Sequence, residues 1–440
     1  MARVIASRLL AEMSCPYEGG VSLRRVLTNQ SSAGSVSPRS IRARAAARSS
    51  PQLEGEPPKG TYYSDYLHLD ELLGCQEALS EVHEELLFIT VHQSHELWFK
   101  LIIADLARVH SVLSVAVTAA DPTDLEADLA KAIASLERIK AIQPMLIQKL
   151  AVLETMTPME FLEFRDFLVP ASGFQSYQFR IIEVLLGLST DGRPNMTQEY
   201  MRKKMHRDDY EKILVWEQKP SLQDLTELWL EHMPWLAVRG VSQPSTPEHH
   251  KRPDAVMEFD WTRQYREAVY EALAKEEATI REVFTEQGLS ADLLEDELQQ
   301  VRNNKATFDS LFNAEQHAEM IGRGVRKFSQ AAILNAIFAY LYRDFSALHS
   351  PFRFLTLLVE IDDGFTSWRY RHAQMAHRMI GRKMGTGATS GADHLLRVAQ
   401  QNSSFKDLRN LSTFLIPTSQ MPPLPPTVLS VLRQQTSRLD

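Results

Sequence analysis

The residues of this 440-residue chain best suited to chemistry are two histidines among aromatic and apolar neighbours, His92 and His372, and an arginine among phenylalanines, Arg165. Within residues 86–100, LLFITVHQSHELWFK, Phe88, His92, His95 and Phe99 follow one another at steps of three or four, as do Leu87, Val91, Ser94 and Trp98. One helix face therefore offers apolar walls together with imidazole nitrogens, a mixture that suits a flat organic ligand. Three readings compete for His92: a core histidine bonded to a neighbour, a metal ligand with Glu96 one turn on, and a polar group at the edge of an aromatic pocket. HQSHE is not the HExxH or HxxEH spacing of the zinc peptidases, which weighs against the metal.

His372 stands in the stripe Leu358, Ile361, Phe365, Trp368, His372, Met375, Met379, where every other occupant is apolar. His377 lies about 140° away around the same helix. A satisfied core histidine is one reading of His372. A second aromatic-lined histidine at His92 supports another, in which two faces flank one planar cofactor; a haem would place its iron on one imidazole and leave the opposite iron face open. Arg165 follows Phe161 by one turn and is flanked by Phe164 and Phe167. Buried there it needs a partner, either a salt bridge to Asp166 or Glu160 or the carboxylate of a ligand. The stretch MGTGATSG, residues 384–391, lacks the GxxxxGK[ST] order of a phosphate-binding loop. It reads as a surface turn, or as a flexible loop that closes Thr386, Thr389 and Ser390 over a small polar ligand.

The elements that must position these groups are helical. Hydrophobic periodicity predicts helices over 77–117, 121–154, 201–216, 222–235, 260–286, 292–312, 326–342 and 354–380, and no strand-like alternation persists. Thr157-Pro158-Met159-Glu160 is a capping box with proline at the first helical position, and Ser172-Gly173-Phe174-Gln175 is a second box opening a helix that closes at Gly187. Residues 240–256 are polar and proline-rich, a surface loop in which the pair His249-His250 is solvated. The fold class is all-α, with one mainly helical domain over 59–440. Residues 1–58 are set apart: the first fifty hold eight arginines, ten serines, no lysine and only two acids, the composition of an organelle transit peptide or of a disordered extension.

Composition excludes several classes. A net charge of −8 argues against a nucleic-acid binder held by phosphate contacts. With Cys15 and Cys75 alone there is no disulfide framework and no cysteine-based zinc or iron–sulfur site, which fits a reducing compartment. No uninterrupted apolar run approaches the roughly 20 residues of a membrane span.

Five blocks, YSDYLHLDELLGCQEALSE, ELLFITVHQSHELWFK, FRDFLVPASGFQSYQFR, WRYRHAQMAHRMIGRKMGTGATSG and LSTFLIP, closely resemble the signature blocks of the tryptophan 2,3-dioxygenase family, in order, from about Tyr62 to about Pro417. The resemblance implies an all-α haem enzyme, usually a homotetramer. It would insert both atoms of dioxygen across the C2–C3 bond of the indole of L-tryptophan, giving N-formyl-L-kynurenine, the first step of the kynurenine pathway. Matched to the family's motifs, His372 corresponds to the proximal ligand of haem b and His92 to the distal histidine that hydrogen-bonds the indole N–H. Phe88 and Phe161 match pocket aromatics, Arg165 the arginine of the substrate carboxylate, Thr386 the threonine near the substrate ammonium, and Ser172 a serine beside the haem. Tyr63 and Tyr66 match a tyrosine pair that enters the pocket from a neighbouring subunit. The family's loop usually reads GTGGSSG; Ala388 and Thr389 depart from it, and alanine takes positive φ less cheaply than glycine. The resemblance implies a cytoplasmic enzyme, or a mitochondrial one if residues 1–58 are a transit peptide.

Overall fold

A computed structural model of the chain describes residues 61–118, 125–188, 197–238, 259–386, 392–401, 403–426, 428–429 and 432. The extension 1–58, the loop 240–256 with His249 and His250, and Gly387 to Gly391 with Ala388 and Thr389 lie outside the described residues. The chain divides into two compact units, with the boundary between Ala78 and Leu79. In the first, the short helices α1 (Tyr63–Leu67) and α2 (Leu69–Leu73) meet at His68, whose left-handed backbone (φ 50°) ends one helix and starts the next.

Among its described residues the main unit is helical apart from one two-residue antiparallel ladder, β1 (Ala237–Val238) with β2 (Phe259–Asp260), which the sequence did not announce. Three long helices carry it. The first, α3 (Glu84–Thr118), begins at Glu84 rather than at residue 77 because Glu85 accepts the backbone N–H groups of Leu79 (2.9 Å) and Ser80 (2.8 Å), folding the approach into a turn. An 18-residue window of α3 has a mean hydropathy of 1.6, so by length and composition it could cross a membrane, although half of that window is buried inside the protein. Its apolar residues are interrupted by His92, His95 and Asp105, which is why no continuous run marks it. Along α3 packs α4 (Leu125–Leu153), and along α4 packs the third long helix, α14 (Ser346–Ile380). At the α4–α14 crossing Gln143 donates to the carbonyl of Ile361 at 2.7 Å, and the glycine at 364 leaves room for its carboxamide.

Between them in the chain come α5 (Pro158–Phe164), α6 (Tyr177–Leu186), α7 (Gln198–Lys204), α8 (Arg207–Glu217), α9 (Leu222–Glu231), α10 (Trp261–Gln287), α11 (Ala291–Phe312), α12 (Ala314–Gly322) and α13 (Gln330–Leu341). The expected helix over 201–216 is two, α7 and α8, because Met205 is extended and His206 opens a new helix. The unanticipated α12 starts on Asn313, whose side chain accepts the N–H groups of Glu315 and Gln316. Both α6 and α9 lie against α3, and α13 packs on α9 and α14. After α14 come α15 (Ala392–Gln401) and α16 (Lys406–Arg409). Buried Asp362 of α14 accepts from Ser403 Oγ (2.7 Å), the N–H of Ser404 (3.1 Å) and Arg409 (3.1 Å), holding the C-terminal segment to the helix that carries His372.

Candidate active site

Local sequence rules build the rim. Thr157 Oγ1 accepts the N–H of Glu160 (3.3 Å) and the Glu160 carboxylate accepts the N–H of Thr157 (2.7 Å), with Pro158 opening α5. The α-helix ends at Phe164 and tightens into a 3₁₀ turn, Arg165–Leu168. The change from 3.6 to 3 residues per turn leaves Phe164 fully buried and Phe167 exposed. The second box forms as read: Ser172 Oγ accepts the N–H of Phe174 at 3.3 Å and Gln175 accepts the N–H of Ser172 at 3.1 Å. It opens only the 3₁₀ turn Gly173–Gln175, however. Ser176 then caps afresh, accepting the N–H of Phe179 (3.2 Å), so α6 is a separate helix, ended at Gly187 with φ 95°.

These turns, together with α3, α6, α14 and the segment after α14, enclose a cavity of about 310 Å³. Phe88, His92, Phe161, Arg165, Ser172, His372 and Thr386 all line it, although they come from positions up to 298 residues apart (386 − 88). Tyr63 and Tyr66 sit on α1 of the N-terminal unit, 75% and 71% exposed. The cavity also uses His95 and Glu96 of the α3 face, and Arg180, Glu183, Trp368 and Arg369, which sequence reasoning did not single out as site residues.

Two groups of side chains in the cavity wall differ chemically. In one, Phe88 stacks on Phe161 (centroids 5.8 Å apart, 30°), and both meet Phe164 edge-on at 5.7 and 5.4 Å, an aromatic corner shaped for a flat ring. His92 packs on Phe88 at 4.0 Å, and its Nδ1 lies 2.7 Å from the Phe88 carbonyl. Although His92 stays solvent-accessible where it lines the cavity, desolvation by its close neighbours pushes its pKa down, against the opposing effects of that hydrogen bond and of Glu96. The ring is therefore neutral, Nδ1 donates to the carbonyl, and Nε2 is left as an acceptor facing the cavity. The core-histidine reading belongs instead to His95, which is buried with Nδ1 at 2.9 Å from the Val91 carbonyl and Nε2 at 3.2 Å from that of Leu146.

Arg165 forms no salt bridge with Asp166 or Glu160; the Glu160 carboxylate is taken by its own cap. Its guanidinium donates to the backbone carbonyl of Met384, next to Gly385 and Thr386. A carbonyl oxygen is a neutral stand-in for the carboxylate that this fork matches better. Deeper in, Glu183 is buried between two arginines, 2.8 Å from Arg180 and 3.2 Å from Arg369.

In the other, close enough to His92 and His95 to feel their charge, His372 is held nearly parallel to Trp368, with centroids 5.4 Å apart and 9° between planes. Burial, with His92 and His95 adding repulsion, lowers its pKa to about 4, so a lone pair is free for a metal at neutral pH. Among the described residues no three His, Cys, Asp or Glu side chains gather as a metal site, and the pair His92–Glu96 gains no third member. A metal on His372 would thus have one protein ligand and must bring the others itself, as the iron of a haem does. The cavity lining includes the apolar side chains of Phe179, Met375, Met379 and Ile380, which suit a macrocycle. The donor set fits a haem.

Comparisons with known proteins identify a family. The family model described as tryptophan 2,3-dioxygenase matches residues 48–415. The chain is 37% identical over 377 residues to the tryptophan 2,3-dioxygenase of Alteromonas mediterranea, covering 83% of this chain and 95% of that protein. It is 39% identical over 376 residues to that of Bdellovibrio bacteriovorus (83% and 96% covered) and 37% identical over 377 residues to that of Dictyostelium discoideum (84% and 87% covered).

Proposed function

The chain belongs to the tryptophan 2,3-dioxygenase family, and from that membership we propose that it oxidises L-tryptophan with dioxygen, opening the indole ring to N-formyl-L-kynurenine in the first step of the kynurenine pathway. The cavity between α3, α5 and α14 is the proposed site. The observation that carries this is the convergence on one cavity of a neutral imidazole among apolar side chains (His372), an acceptor imidazole beside an aromatic corner (His92), and a guanidinium whose partner among the described residues is a carbonyl (Arg165).

His372 is the residue that would hold the iron of haem b, with Ser172 lining the same cavity. Once bound, ferrous haem supplies the oxygen chemistry. The protein's own part is placement. Phe88 and Phe161 hold the indole plane, and His92 Nε2 accepts the indole N–H. Arg165 exchanges the Met384 carbonyl for the substrate carboxylate, and Thr386 receives the ammonium. Holding both reactants in one geometry is the main gain from such a site. His92 orients the substrate without acting as an obligatory base: an indole N–H is a very weak acid, and desolvation makes the imidazole a weaker base than usual. Tyr63 and Tyr66, exposed in a single chain, are proposed to enter the cavity of a neighbouring subunit in a homotetramer. The proposed location is the cytoplasm.

The reaction is tested with heavy-isotope dioxygen and L-tryptophan. Two labelled oxygen atoms in N-formylkynurenine are expected; a product with one or none would overturn the dioxygenase reading.

A further inference from the structure

We propose that Trp368 is the positioning residue for the His372 imidazole, fixing the rotation of that ring so that it meets a haem iron in one orientation. The inference rests on the proposed function, since it takes His372 as the axial ligand.

A metal-binding histidine is ordinarily oriented by a hydrogen bond from its second ring nitrogen to a carboxylate or carbonyl. Among the described residues no such bond reaches either nitrogen of His372. The contrast with the other two cavity histidines is instructive. His92 and His95 each turn a nitrogen back to the carbonyl one helical turn earlier, that of Phe88 at 2.7 Å and that of Val91 at 2.9 Å. The residue one turn before His372 is Trp368, and what it offers is its indole face, in an offset parallel stack with centroids 5.4 Å apart and 9° between planes.

The indole is itself held. It meets Phe179 at 4.9 Å, Phe99 edge-on at 6.1 Å and His95 at 6.2 Å. Its Nε1–H is buried and has no acceptor among the described residues, a cost that phenylalanine in the same place would not carry. The broad face of the indole is what the neighbouring imidazole uses. With the ring oriented by stacking rather than by an anionic acceptor, the axial imidazole stays a neutral donor, and its plane depends on the indole.

The test reads the iron–imidazole bond directly. Resonance Raman spectra of the ferrous holoprotein are compared for wild type, Trp368→Leu and Trp368→Phe, with the rate of haem release to a scavenger protein and the melting temperature measured alongside. Trp368→Leu is expected to broaden or split the iron–imidazole stretching band and to speed haem release about 10-fold or more, the scale of a lost outer-shell contact to a metal-bound histidine. Trp368→Phe, which keeps a stacking face, should retain a single band and an intermediate release rate. A folded Trp368→Leu protein with the wild-type band and release rate would overturn the inference, whatever happens to its melting temperature. If the leucine variant does not fold, Trp368→Met is read by the same criteria. A wild-type protein that binds haem but shows no iron–imidazole band would overturn the axial assignment of His372 and this inference with it.

Discussion

Replacing His92 by alanine should weaken substrate binding by an amount that the state of its ring sets. The 2.7 Å contact with the Phe88 carbonyl occupies Nδ1, and the lowered pKa keeps the imidazole neutral, so Nε2 offers one neutral acceptor. A neutral hydrogen bond to the indole N–H contributes about 1 kcal/mol net, or roughly 5-fold in the dissociation constant. Part of any loss in the alanine variant comes from packing against Phe88, since the two rings lie 4.0 Å apart. A thermodynamic cycle removes that part. Calorimetric dissociation constants are measured for L-tryptophan and for its benzothiophene analogue, in which sulfur replaces the N–H, on wild type and His92→Ala. The coupling energy should be about 1 kcal/mol. Additivity within about 0.3 kcal/mol would show that His92 does not face the indole N–H. Coupling above roughly 3 kcal/mol would point to a charged partner and refute the neutral ring. Turnover of His92→Ala should fall without vanishing, and complete loss with haem retained would make His92 an obligatory base.

Other expectations follow from the same structure. Arg165→Ala should raise the Michaelis constant for L-tryptophan roughly 30-fold, about 2 kcal/mol for a charge-assisted contact at a partly exposed site; an unchanged constant would place the carboxylate elsewhere. Gly364→Ala would drive a methyl group into the Gln143 carboxamide and break its buried bond to Ile361, destabilising the α4–α14 crossing by about 3 kcal/mol; a melting temperature equal to wild type would show that the crossing is loose. His110 donates to the Pro220 carbonyl at 2.9 Å, and burial lowers its pKa to about 4, so the folded state stays neutral while the unfolded chain takes up a proton below about pH 6.5. Stability should therefore fall as pH drops from 6.5 to 4, with up to about 3 kcal/mol from this residue. Denaturant titrations of wild type and His110→Phe across that range should differ in slope, and identical slopes would remove His110 from the acid sensitivity.

Much of the site was readable because its signals are local. The boxes at Thr157 and Ser172 need only residues three apart, and the stripe that exposes His372 needs only one helix. What stayed hidden depends on elements far away. His92 and His95 share one face of α3, and it is α4, by presenting the Leu146 carbonyl, that makes His95 the core histidine. For Arg165 the sequence offered a salt bridge to Asp166 or Glu160, or the carboxylate of a ligand. The arginine's partner is a backbone carbonyl 219 residues on, and a carbonyl leaves no trace in residue type. The start of α3 moved because Glu85 folds its own approach, a competition that periodicity does not register. Trp368 was visible as one more apolar member of the stripe. Only its parallel seat on His372 separates it from Phe365 or Met375.

We propose His372 as the protein ligand to the iron of a haem on which L-tryptophan is oxidised. The most direct measurement is the optical spectrum of purified wild-type and His372→Ala protein, reduced without air and then given L-tryptophan and dioxygen while N-formylkynurenine absorbance is followed. The account predicts a five-coordinate ferrous haem spectrum and product growth in wild type, both lost in His372→Ala and the spectrum restored by added imidazole. Wild-type haem coordination and turnover in a folded His372→Ala protein would contradict it.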